Sequence, residues 1–289
     1  MVLRGDRTAL AGGGTVPAGD PRHRPRRRRD RPGAHRGRGR PGCVVLSATG
    51  IAGRSALVTG AASGIGRATV LALARDGVRV VAVDRQPVDE VCAAVAARGG
   101  TAVGAVADVA DDASVAAAVD RAVTGFGGLD IAVHCAGVVS ETAIADLERP
   151  EWDRQLDVNL TGSYVVSRTV LPHLVTAGAG RLVLFSSIAA RVGGVNSGAA
   201  YVASKGGVGA LGKWLARRYG GDGVTVNMIA PGPVDSPMTH GRDYAPEGYP
   251  VPRMGTPDEL AAAVVFLVSD AAAWITGHTL DVNGGIFMN

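Results

Sequence analysis

Thr59-Gly60-Ala61-Ala62-Ser63-Gly64-Ile65-Gly66 closes a short apolar run, residues 56–59, and opens a helical pattern over 64–76. Three glycines at a strand-to-helix junction permit a tight turn, and without Cβ atoms they let main-chain amides approach a bound group closely. The start of the helix adds its positive end, which favours a phosphate. An ordinary strand-to-helix loop also carries glycines, so position has to discriminate. The next apolar run, 79–84, ends in Asp84, 18 residues beyond Gly66. An acid there is placed to accept hydrogen bonds from both hydroxyls of an adenosine ribose. A solvated carboxylate at a strand end is the plainer alternative.

Outward from this unit, short Val- and Ala-rich runs alternate with helical stretches. Strands are expected at 56–59, 79–84, 102–107, 131–134, 181–186, 224–229 and 279–282. Helices are expected at 64–76, 114–124, 152–176, 201–219 and 257–268. Near-continuous apolar strands separated by helices indicate a parallel sheet covered on both faces. The expected fold is therefore α/β, a Rossmann-type doubly wound parallel sheet of seven strands, in one nucleotide-binding domain over 51–289.

Residues 1–50 differ in kind. They hold 12 Arg and 3 Asp, a net of +9, so residues 51–289 carry −5 of the total +4. The stretch 21–42, PRHRPRRRRDRPGAHRGRGRPG, joins like charges to Pro and Gly and is expected to be a disordered tail. It reads either as a polyanion-binding arm or as a dispensable extension, and the second is favoured. The apolar stretch after it is too short for a secretory signal. The longest strongly apolar run, 260–268, falls well short of a membrane span of roughly 18 residues. Three cysteines, Cys43, Cys92 and Cys135, form no pairable framework, which suits a reducing compartment and suggests the cytoplasm. Aromatic residues at 4% offer few stacking platforms for single-stranded nucleic acid.

The octet at 59–66 is similar to the TGxxxGxG signature of the short-chain dehydrogenase/reductase family, and the resemblance runs over 53–289. It implies a nicotinamide cofactor held by Gly60, Ser63, Gly64, Ile65 and Gly66, with Asp84 on the ribose and Asp108-Val109 at the adenine. His134-Cys135-Ala136-Gly137 stands where the family usually has Asn-Asn-Ala-Gly. Ala136 and Gly137 keep the main chain close to the cofactor, while the two bracing side chains are replaced. Pro231-Gly232-Pro233-Val234-Asp235-Ser236 resembles the loop that contacts the nicotinamide carboxamide, with Pro231, Gly232, Val234 and Ser236 as its contacts. The ending over 276–285, TGHTLDVNGG, resembles that of bacterial 3-oxoacyl carrier-protein reductases and implies a subunit interface, hence a homodimer or homotetramer.

Tyr201 and Lys205 lie four residues apart at the start of a helix and so share a face. A neighbouring cation favours the phenolate over the phenol, which ordinarily ionises near pH 10. The same spacing also suits a plain surface pair. With Ser187 and Asn159 upstream in the family's order, the resemblance implies a catalytic set of Asn159, Ser187, Tyr201 and Lys205. Ser186 rivals Ser187, and the 14 steps from Ser187 to Tyr201 exceed the usual spacing by one. His240 and His278 lack partners at metal-ligand spacing, so no metal is expected.

The resulting expectation is an NAD-dependent oxidoreductase moving hydride between the nicotinamide and a secondary alcohol or ketone. NADP stays open because Arg85 could turn toward a 2′-phosphate. An NADPH-dependent 3-oxoacyl carrier-protein reductase is one alternative; a nucleotide-binding regulatory or nucleic-acid-associated protein acting through its basic tail is another. Three prolines in 239–252 disfavour a long helix, so a short, partly extended lid and a compact substrate are expected.

Overall fold

The computed structural model describes residues 49–194 and 196–288, so the disordered tail expected for 1–50 falls almost wholly outside the described residues. Seven strands form one parallel sheet: β1 (Ser55–Thr59), β2 (Arg79–Asp84), β3 (Thr101–Val106), β4 (Ile131–His134), β5 (Arg181–Phe185), β6 (Thr225–Pro231) and β7 (Thr279–Val282). Their order is β3-β2-β1-β4-β5-β6-β7, the expected doubly wound arrangement. Winding reverses between β1 and β4, where Ala56 pairs with Ile131 and Thr59 with His134.

Period-2 alternation sends successive side chains to opposite faces. In β1 and β2, Ala56, Val58, Val80 and Ala82 enter one core, while Leu57, Val81 and Val83 enter the other. The first core is covered by α1 (Gly64–Arg75), α2 (Asp89–Ala96) and α8 (Pro257–Val268) through Val70, Leu73, Val95, Leu260 and Val264. The second is covered by α3 (Asp112–Phe126), α5 (Gly162–Thr176) and α7 (Ala199–Tyr219) through Val119, Val166, Leu174, Val208 and Leu215. Each fully buried Leu or Val of this kind contributes about 1.5–3 kcal/mol of transfer free energy.

Two departures from expectation have local causes. Helix α2 was not anticipated; it is only eight residues long, though Val91 and Val95 sit four apart behind Asp89 and Glu90. The single helix expected over 152–176 is instead α4 (Arg149–Leu156), a π-helical turn (Asp157–Thr161) and α5. The π turn accommodates one extra residue and carries Asn159, fully buried.

Three surface tryptophan and phenylalanine positions stand out: Trp274 is 99% exposed, Trp214 on α7 is 61% exposed and Phe266 on α8 is 44% exposed. No helix among the described residues is long and apolar enough to cross a membrane.

The turn from β1 into α1 depends on glycine at particular points. Gly60 and Gly64 hold φ of +70° and +51°, and a Cβ on Gly66 would stand 1.9 Å from the Gly60 carbonyl oxygen. A backbone atom cannot yield as a side chain can. Gly66→Ala is therefore expected to cost at least about 1–3 kcal/mol of stability and to weaken dinucleotide binding, measurable by urea unfolding and by cofactor titration.

Candidate active site

At the carboxyl ends of β1 and β4 the sheet leaves a crevice, as the winding reversal requires. It is lined by Gly60, Ser63, Gly64, Ile65, Gly66, Asp84, Arg85, Asp108, Val109, Ala136, Gly137 and Ser236, together with Cys135 and Met238. Most of the residues expected to hold a cofactor thus converge on one cleft. Ser63 begins α1 in extended geometry and no side chain caps the helix, so the amides of its first turn are not taken by a capping side chain. Asp84 is fixed at the end of β2: its carboxylate accepts from the Ala62 amide at 3.0 Å and the Gln86 amide at 2.9 Å. Asp108 is held likewise by the Ala110 amide at 3.0 Å.

The replaced brace is supplied by a different pair. Thr59 Oγ1 lies 2.8 Å from His134 Nδ1 and accepts from the Ala136 amide at 3.3 Å. Which of the two donates in the Thr59–His134 contact is set by the imidazole tautomer, since a hydroxyl that accepts one amide can still either donate or accept again. Among the described residues Nε2 is buried without a hydrogen-bond partner. Burial, with the Lys205 charge behind it, pushes the His134 pKa down to about 3. The imidazole is therefore a neutral strut between β1 and β4. Cys135 beside it lines the cleft, and burial pushes its thiol up to about 12.

A second, more apolar pocket of about 250 Å³ adjoins the first, sharing Ile65, Cys135, Gly137, Ser236 and Met238. Ser187, Tyr201 and Lys205 line it. Pro231, Gly232 and Val234, expected as cofactor contacts, face this pocket rather than the first cleft; Ser236 borders both. Both candidate serines border this pocket, and they differ in what their hydroxyls contact. Ser186 Oγ turns inward and donates to the Lys205 carbonyl at 2.9 Å. Ser187 Oγ accepts from the Ala189 amide at 3.1 Å, and the residue borders the pocket together with Tyr201. The long Ser187-to-Tyr201 connection contains α6 (Ala189–Val192) and is turned by Gly193 and Gly194, with φ of +83° and +79°.

Lys205 Nζ donates to the Phe185 carbonyl at 2.9 Å and lies 5.8 Å from the Tyr201 ring centroid. Burial pushes its pKa down to about 8. The Tyr201 phenol is pushed up, also by burial, with the Ser187 hydrogen bond and the Arg242 charge pulling the other way. This reverses the expected direction for the cofactor-free site, because the ammonium sits beside the ring and against a carbonyl rather than at the phenol oxygen. A Cβ on Gly137 would stand 3.3 Å from Nζ, so glycine there leaves the ammonium open to a ligand.

Asn159 clamps the segment next to Gly137. Its Nδ2 donates to the Val138 carbonyl at 2.9 Å and to Ser204 Oγ at 3.0 Å, and its Oδ1 accepts the Val138 amide at 2.9 Å. Beyond the expected residues, the pocket is walled by Phe185, Ile188, Val192 and, from the chain's end, Ile286. Loop 237–253 covers it with Met238, Thr239, Tyr244 and Tyr249 and contains one 3-10 turn, Pro246–Gly248. Asn196 ties this lid by donating to the Asp243 carbonyl at 2.7 Å.

The glycine cradle, the helix start and the Asp84 carboxylate together suit a dinucleotide, and comparison with known proteins agrees. Residues 60–287 match the family model described as enoyl-(acyl carrier protein) reductase. The chain is 42% identical over 241 residues to D-threitol dehydrogenase of Mycolicibacterium smegmatis, covering 81% of this chain and 92% of the relative. It is 36% identical over 247 residues to a 3-oxoacyl-[acyl-carrier-protein] reductase of Synechocystis, covering 83% and 99%. A solved short-chain type dehydrogenase/reductase from Mycobacterium marinum superposes with a TM-score of 0.81 at 30% identity, covering 84% and 99%.

His134 gives the fold an acid limit. The unfolded ring titrates near 6.5 and the folded one at about 3, so between those values the unfolded chain binds the extra proton. Its contribution is complete above pH 6.5 and is lost toward pH 3, at up to about 1.4 kcal/mol per pH unit. In urea unfolding between pH 6 and pH 4, His134→Asn should flatten this slope relative to the parent chain.

Proposed function

The chain belongs to the short-chain dehydrogenase/reductase family, and we propose that it is an NAD-dependent dehydrogenase of compact secondary alcohols, reducing the matching ketones in reverse. The observation that carries this reading is the meeting of two clefts at Gly137 and Ser236, with Ser187, Tyr201 and Lys205 on the apolar side of the junction. Bound in the glycine-lined cleft, the nicotinamide would supply the hydride acceptor. The chain's own residues do the rest. Ser187, its lone pair set by the Ala189 amide, orients the carbinol oxygen. Tyr201 takes the hydroxyl proton, and Lys205 binds the nicotinamide ribose and favours phenolate once a ligand draws its ammonium forward. Asn159 is the residue we assign to connect the proton relay to solvent, its side chain held by Val138 and Ser204 and its carbonyl by Ser163 Oγ. The protein thus supplies orientation and electrostatics.

NAD is favoured over NADP by Asp84. A 2′-phosphate about 4 Å from that carboxylate would meet repulsion of roughly 4 kcal/mol per unit charge at an effective dielectric near 20, before screening. The exposed Arg85 is the counterweight. The compact substrate follows from the short lid. A carrier-protein reductase is the second reading, supported by the Synechocystis relative, and efficiency rising with acyl-chain length would promote it. Nucleic-acid association through the tail is disfavoured by the intact Ser187–Tyr201–Lys205 set. We assign catalysis to residues 51–289 and expect residues 1–50 to be dispensable for it. Assembly into a homodimer or homotetramer accords with the exposed Phe266 and Trp274, and the cytoplasm remains the proposed compartment.

Steady-state assays with both cofactors should give a higher kcat/KM with NAD; a ratio favouring NADP refutes the assignment to Asp84. Tyr201→Phe should reduce turnover by a factor of at least about 10² to 10⁴, the usual worth of a general base, with cofactor affinity retained. Lys205→Ala should harm both turnover and cofactor binding. Near-normal activity in Tyr201→Phe would assign the proton transfer elsewhere.

A further inference from the structure

Beside the substrate pocket lies a second chamber of about 170 Å³, walled in part by the apolar Val251, Leu260 and Val282. Pro233, Tyr249 and Ile286 border both cavities and therefore stand between them. The main chain around the chamber is fixed by hydrogen bonds. The Gly255 amide donates to the Pro233 carbonyl at 3.0 Å, the Asp235 amide to the Gly255 carbonyl at 2.9 Å, and the Val251 amide to the Gly284 carbonyl at 3.0 Å. The two charged residues that line it neutralise each other: both terminal nitrogens of Arg253 donate to the Glu259 carboxylate, at 2.6 and 2.8 Å. An alkyl group suits such a lining better than a charged one.

Ile286 is the fixed part of this partition. Tyr249 rides on the lid, where its amide donates to the Pro246 carbonyl at 3.0 Å within the same loop. Ile286 instead belongs to a turn closed by Asn283, which is buried. Asn283 Oδ1 accepts the Gly285 amide at 3.0 Å and the Phe287 amide at 3.4 Å, and its Nδ2 donates to the Phe287 carbonyl at 3.2 Å. The Arg191 guanidinium lies over the Phe287 ring, 5.7 Å from its centroid, and pairs with Asp281 at 3.3 Å. The residues on both sides of Ile286 are thus held without help from its side chain. Resting on the reading of the first cavity as the site of the alcohol, we propose that Ile286 is a specificity-determining residue that sets the length of the substrate's apolar arm. The carbinol carbon lies by Ser187 and Tyr201, one arm runs toward Ile286, and it ends where that side chain closes the way into the second chamber. The substrate class is then a secondary alcohol, or its ketone, with a short uncharged arm on the Ile286 side.

The test uses full-length protein, NAD and the straight-chain series 2-butanol, 2-hexanol, 2-octanol and 2-decanol. In the parent chain kcat/KM should rise over the first members and then break off. Ile286→Ala should move that break to longer alcohols, each methylene admitted to the second chamber being worth about fourfold, while 2-butanol loses efficiency as its wall recedes. Ile286→Phe should move the break to shorter ones. Adding Val251→Phe to Ile286→Ala refills the chamber from its exposed side and should return the break to its parental place. A break that stays put in both single variants overturns the proposal, as does a parental series that climbs unbroken to 2-decanol. A uniform loss in both variants, with no crossing between short and long alcohols, is the mark of a purely structural residue and overturns it too. So does a double variant whose series still runs on. In each of those cases the dehydrogenase reading stands if turnover vanishes in Tyr201→Phe. Turnover that survives there, or that is absent from the parent chain for every alcohol, removes that reading and this proposal with it.

Discussion

The side-by-side pairing of β1 with β4 is the constraint from which the site follows. Both strands are buried on both faces, and the chain winds away from them in opposite directions, so no helix crosses over their carboxyl ends. The crevice left there has main chain for walls, and main chain can come close only where side chains are absent. Gly66 against the Gly60 carbonyl, and Gly60 against the Ala136 amide, meet that requirement from the two strands. The Thr59–His134 contact then locks the strand ends at the depth the glycines permit. A shift of one strand against the other would separate the cleft from the pocket behind it.

Burial sets the electrical character of the site. Lys205 is drawn out of water with the Phe185 carbonyl as its protein partner, and Tyr201 is buried beside it. Desolvation pushes both groups toward their neutral forms, but with its pKa lowered only to about 8 Lys205 still carries its proton at pH 7, beside a neutral phenol. The polarisation that proton transfer needs is completed by what binds. His134 and Cys135, flanking the ammonium, stay neutral for the same reason and do not compete with it.

Much of this was readable in the sequence, and the exceptions have a common cause. The glycine octet, Asp84 and the Tyr201–Lys205 spacing are local patterns within one turn or one helix, where chain geometry alone decides what faces what. The seven strands and their doubly wound arrangement follow from periodicity and alternation; the order of the strands came from the structure. Ser186 and Ser187 are adjacent and both border the pocket, so what each hydroxyl contacts could be told apart only in the structure. The π turn at Asn159 changes no composition and leaves no sequence signal. Ile286 and the inward-facing Pro231, Gly232 and Val234 depend on where loops settle against distant elements. The direction of the Tyr201 shift also escaped a local reading, since a nearby cation was legible and the depth of burial was not.

The placement of the tryptophans has an optical consequence. The chain has three, Trp152, Trp214 and Trp274, and none belongs to either packed core. Trp274 is already solvated as fully as an unfolded residue, and Trp214 is mostly so. Two of the three emitters therefore start near the water-exposed limit, and the half-buried Trp152 alone has much solvent exposure left to gain when the sheet melts. What shifts the emission of those two toward the blue is the covering of α7 or of the loop before β7 by another surface. For this fold, the fluorescence of Trp214 and Trp274 reports association and surface contact, while loss of the core is seen by circular dichroism.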